Sequence, residues 1–413
     1  MQFCPSIYKY KTFLLGGLGI CFLFILCTLF VVKQESRILP EVENQPDHFV
    51  VDEKSQTYFK TNPSFPDLRE YLEKLADEKG AVYALNTLIY GELPKNIDTH
   101  LMGHYVARKL YKEKGVNGLD ECGNNLGYAC AHVMVTESLY EKGMTFFDDV
   151  NDICARAKGS GAYFMCFHGF GHGVLAFADY DLPKAVELCG KVGTEAHSYY
   201  EATECVGGAI MEMRGGIHDP HLWEKNGKKY LNEKNPTDLC LSDFLDEKYR
   251  YICFVYITPF IFDSLGAHDI PTFEEYGPAI RSCDVLTKPE YREACFGGFA
   301  KEFVGFLFGR DIRKISDITD TQLSKVFSEC SLAGVEDGVA GCVKHAVLDL
   351  LGKGRYAFEI AGRFCEVVDR QYSDYCVSSL IKAIGEQNKL SSQQRKEFCT
   401  YVEEKFQKSC EHW

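Results

Sequence analysis

The run Cys283-Asp-Val-Leu-Thr-Lys-Pro289-Glu-Tyr291-Arg-Glu-Ala-Cys295-Phe-Gly-Gly-Phe-Ala-Lys-Glu302 carries the plan of most of the chain. Pro289 suits the first turn of a helix, where a missing N–H costs nothing. One helix would end near Cys283. A second would run from about Pro289 to Phe308, with Cys295 in its second turn. A bridge between the two cysteines staples the pair just past its turn. Closing a loop of this size contributes about 3 kcal/mol through the unfolded state.

The same plan recurs. Pairing neighbouring cysteines gives 122/130, 154/166, 189/205, 240/253, 283/295, 330/342, 365/376 and 399/410, with separations of 8 to 16 residues. First members of the last seven pairs recur every 34 to 51 residues, the range of helical-hairpin repeats. Four residues before the second cysteine stand Tyr249, Tyr291, Tyr372 and Phe406. Seven residues after it stand Glu137, Glu212, Glu302 and Asp349. Seven helical positions return nearly to the starting face, so these acids are expected against the first helix of their unit. Leu68–Leu75 and Ala81–Leu88 have helical apolar spacing without cysteines, and Asp98 can cap a helix running through His100 and His104 to Tyr111.

Composition sets the surroundings. At 46% hydrophobic, the 413-residue chain is too apolar for disorder, and a net charge of -14 excludes a general nucleic-acid binder. Residues 12–32 carry no charge and are long enough to cross a bilayer as a helix. The run ends Leu29-Phe30-Val31-Val32, without the small-residue site of a cleaved signal peptide, so an anchor is expected. Of 19 cysteines, 16 follow that run, an even and dense set of the kind an oxidising compartment allows. The N-terminus is therefore expected in the cytoplasm and the main domain in an extracellular, periplasmic or lumenal space. The expected organisation is a tail at 1–11, a membrane helix at 12–32, a proline-bearing stalk at 33–66, a helical cap at 67–120 and a disulfide-linked repeat domain at 121–413.

The candidate chemistry lies in the first units. In Cys166-Phe-His168-Gly-Phe-Gly-His172 the two histidines are four apart and share a helix face. His100 and His104 form a second such pair, and His132 stands two residues after Cys130, as His168 does after Cys166. Positions two and six after a cysteine lie about 200° and 240° around the helix from it, away from the bridge. Facing pairs of imidazoles suit zinc or iron. The competing account makes all five packed core residues. No His-Glu-x-x-His motif occurs, so a catalytic base would come from elsewhere, with Glu137 and Glu212 as candidates. His218-Asp-Pro-His221 follows two glycines and reads as an exposed inter-unit loop.

Cys166 to His172, Leu182-Pro-x-Ala-x-x-Leu-Cys189 and Cys205-Val-Gly-Gly-Ala-Ile-Met-Glu212 together resemble a group of uncharacterised exported prokaryotic proteins, over roughly residues 98–215. The resemblance implies export and brings no activity with it.

The expectation is an all-α protein: an N-terminal transmembrane helix, then disulfide-stapled helical hairpins in an α-solenoid or α/α toroid. Two functions fit. One is a membrane-anchored binding or scaffolding module that takes a protein or small-molecule ligand on a helical surface. The alternative is a metal-dependent hydrolase built on the five histidines.

Overall fold

The computed structural model describes residues 49–157, 161–193, 198–215, 218–268, 271–352, 357–387 and 399. All belong to one compact unit, Glu43–Trp413; the expected tail and membrane helix lie outside the described residues. Among the described residues there is no strand, and no helix is long and apolar enough to cross a membrane.

Three helices open the unit: α1 (Glu53–Lys60), α2 (Phe65–Lys79) and α3 (Ala81–Tyr90). The first falls inside the stretch expected as stalk. Asp52 caps it through the Ser55 N–H, and Phe59 is buried beneath it, so the chain is docked well before residue 67. Of the prolines that suggested a stalk, Pro63 lies in the α1–α2 turn and Pro66 in the first turn of α2, where proline is tolerated.

From α4 (Thr99–Lys114) onward, the second helices of successive units stack into one row. The row continues through α5 (Ala129–Lys142), α7 (Ala162–Phe177), α9 (Ser198–Glu212) and α10 (Glu247–Tyr256). It ends with α13 (Pro289–Phe306), α15 (Glu336–Leu351) and α17 (Arg370–Gln387). Between them run α6 (Phe146–Cys154), α8 (Leu182–Cys189), α11 (Thr258–Ser264), α12 (Phe273–Ile280), α14 (Asp320–Cys330) and α16 (Ala357–Val367).

Seven bridges join neighbouring cysteines from 122/130 to 365/376, with Cα atoms 5.4 to 5.7 Å apart. Cys399 is also disulfide-bonded, to a partner outside the described residues. Pro289 stands at the start of α13 as its residue type requires, and Phe296, Phe299 and Phe303 of that helix are fully buried.

The row does not run out straight. The chain leaving α13 crosses to the first helices. Arg313 donates to the carbonyls of Leu88, Ile89 and Gly91 at the end of α3, and Asp311 holds its guanidinium with two 2.7 Å bonds. Thr99 donates its N–H to the Arg310 carbonyl, and the Tyr128 hydroxyl donates to that of Gly352. The array is therefore curled, with its later units tied across to its first.

Candidate metal centre

Three neighbouring second helices place the histidines. Asp98 accepts from the Leu101 N–H and starts α4, which carries His100 and His104. His132 sits in the first turn of α5, and His168 and His172 lie on α7. The helices approach closely because glycines face the contacts. A Cβ at Gly169 would stand 2.5 Å from the His132 Cα. One at Gly208 would stand 1.8 Å from the His168 carbonyl oxygen, so α7 and α9 touch backbone to backbone.

All five imidazoles converge. His104, His132, His168 and His172 are buried, and His100 is half-buried. Ligand nitrogens of His100, His104 and His132 lie within 4.8 Å of one another, a set able to hold a metal ion. The Nε2 atoms of His100 and His104 are 3.2 Å apart, and those of His168 and His172 are 3.3 Å apart. Burial, reinforced by the neighbouring rings, holds His104, His132 and His168 well below the ordinary imidazole range, which keeps them neutral. Neutral imidazole is the form that ligates metal.

The rings are oriented from behind. His100 donates from Nδ1 to the Leu126 carbonyl at 2.8 Å. His172 Nδ1 meets Glu212 Oε2 at 3.0 Å. Such backing fixes tautomer and direction at metal sites. Asp98 takes no part in this backing: it caps α4, as its position suggests, and faces Arg310.

Glu212 is fully buried and well supplied with donors. It also accepts from the Tyr180 hydroxyl at 2.9 Å and the His218 N–H at 3.0 Å. Burial disfavours its charge, but the His218 and His172 rings outweigh that and hold its carboxyl well below the usual range. Glu137 is partly exposed and lies 3.3 Å from the Arg108 guanidinium. The expected separation of an acid face from a histidine face does not hold between units. Position seven on α9 meets position six on α7, because in a row of helices the flank of one packs on the flank of the next.

Two participants escaped the sequence reading. The His218 side chain is buried, with Nδ1 3.1 Å from Glu212 Oε2 though not aligned as a hydrogen bond, so that part of the expected exposed loop folds inward. Glu204 lies 3.8 Å from His168 Nδ1 and accepts a long bond from the Tyr256 hydroxyl. It directly precedes Cys205, and position minus one falls at about 260°, on the histidine face.

No family model, no curated protein and no solved structure matches the chain.

Proposed function

We propose that the protein is a membrane-anchored, extracytoplasmic binding module whose curled inner surface is pinned by a buried metal ion. The ion is held by His100, His104 and His132, and residues 12–32 are the anchor. The bridges support an oxidising compartment, as does the resemblance of residues 98–215 to exported prokaryotic proteins. One observation carries the metal reading. His132 is 2% exposed, and neither of its ring nitrogens has a protein partner, although two further imidazoles surround it. A buried polar group left unpaired costs about 1–3 kcal/mol, and an ion repays that cost. Zinc suits three neutral imidazoles best, with iron second.

A metal-dependent hydrolase is the second reading, favoured by Glu137. Its carboxylate reaches solvent and pairs with Arg108, on the same helix as His104. Glu212 serves there as the positioning residue for His172.

Elemental analysis of the purified full-length chain tests the metal. At least one ion per chain is expected. His132→Asn should lose it while the far-ultraviolet spectrum stays helical. A folded chain that neither carries metal nor takes up added Zn²⁺ would sink this reading.

A further inference from the structure

His132 stands midway between two histidine pairs. Its ring centre is 5.4 and 5.7 Å from those of His100 and His104. It is 5.7 and 5.9 Å from those of His168 and His172, a slightly wider set. Imidazoles sharing one ion with bonds of about 2.0–2.1 Å have centres roughly 5–6 Å apart, and two nitrogens on one tetrahedral ion are about 3.4 Å apart. The Nε2 separations of 3.2 and 3.3 Å within the two pairs match the second figure on both sides of His132.

Proton placement agrees. A carboxylate and a carbonyl only accept. In the neutral rings, His172 therefore carries its proton on Nδ1 toward Glu212, and His100 on Nδ1 toward Leu126. Each then presents an Nε2 lone pair to its own partner histidine. His132 is left with an N–H and a lone pair, both buried and both unpartnered. One ion can satisfy only the lone pair. The carboxylates also favour a second ion. Glu212 backs His172 at 3.0 Å, and Glu204 lies 3.8 Å from His168 Nδ1, so two carboxyl groups stand on the α7 side.

We propose that the centre takes two divalent ions of the borderline class, bridged by His132 as an imidazolate. This rests on the single-ion reading above and extends it. The first ion sits on His100, His104 and His132; the second sits on His132, His168 and His172. Forming the second metal–nitrogen bond releases the His132 N–H proton to solvent, with no change of oxidation state.

The test uses the full-length chain loaded with Zn²⁺ and, separately, with Cu²⁺. Two Zn²⁺ per chain are expected, falling to one in His168→Asn/His172→Asn. In the Cu²⁺ form, imidazolate bridging couples the two spins, so the low-temperature resonance should integrate to less than one isolated Cu²⁺. The wild-type measurement does not depend on how any variant folds. One Zn²⁺ per chain, retained in His168→Asn/His172→Asn, would overturn the bridge and leave the single-ion site standing. No ion would overturn both. Two Cu²⁺ with full, uncoupled intensity would overturn the bridge alone.

Discussion

Glu329 shows how one residue can set a pH dependence. It closes α14 with its side chain 2% exposed, and its Oε2 has no hydrogen-bond partner. Lys325, at 3.8 Å, is too far to compensate fully. Burial pushes the carboxyl up from 4.5 to about 7. A carboxyl with a raised folded-state pKa binds more protons folded than unfolded, so stability falls as pH rises from about 4.5 to about 7 and then levels. Removing the charge should abolish that loss. Glu329→Gln is expected to stabilise the chain by on the order of 2 kcal/mol at pH 8 and to change little at pH 4. Urea unfolding at the two pH values reads the difference. Equal effects at both would show that Glu329 is not held protonated. Nothing in the sequence announces this residue. It directly precedes Cys330 at the end of a capped amphipathic helix, where exposed glutamates are ordinary, and only the packing of α14 against its neighbours removes water from it.

Helices were the legible scale, because their signals are local. Pro289 and Cys295 fixed α13 to within two residues of its observed end, whereas the pairing of each cysteine with its neighbour, which sequence alone leaves open, is supplied by the structure. The five histidines were legible as a face, since residues two, four and six apart on a helix have fixed angles. Their backing groups were not. Leu126 contributes a backbone carbonyl, which has no sequence signature, and the His172–Glu212 contact spans 40 residues and depends on how α7 and α9 cross. That crossing rests on Gly171 and Gly208. A Cβ at either would press on a neighbouring carbonyl oxygen, at 1.9 and 1.8 Å, and backbone cannot swing aside as a side chain can. Gly208→Ala should cost about 3 kcal/mol or more and disturb metal uptake through the shifted His168. Gly305→Ala on α13 is the control. Its Cβ meets nothing within 4 Å, so the change should stabilise by roughly 0.5–1 kcal/mol. Denaturation midpoints with bound-metal content would distinguish them. A Gly208→Ala chain as stable as wild type would show that the helices can part without cost.

Across the whole unit, stapled pairs alone would leave an open row, because each bridge joins only residues of one unit. What curls the row is the return of residues 309–313 to the first helices, and Arg313 is its centre. The guanidinium supplies donors to three carbonyls at the end of α3, where helices leave acceptors unfilled, and its charge is met by Asp311, whose side chain is 2% exposed. Arg313→Ala would strand that carboxylate with only Lys314 at 3.6 Å and uncap α3 together. Breaking a buried pair from one side costs about 3–5 kcal/mol, whereas replacing both partners by apolar groups costs far less. Arg313→Met/Asp311→Leu should therefore be milder than Arg313→Ala, despite changing more. Hydrogen exchange locates the effect. In Arg313→Ala, amides of α3 (Ala81–Tyr90) and the start of α4 should lose protection, while α13, held by its own bridge and its buried phenylalanines, keeps it. If α3 protection is unchanged, the curl is held elsewhere and the 309–313 crossing is only a contact. If it falls and bound metal falls with it, the latch also sets the histidine geometry, since α4 carries His100 and His104 directly after the Asp98–Arg310 pair.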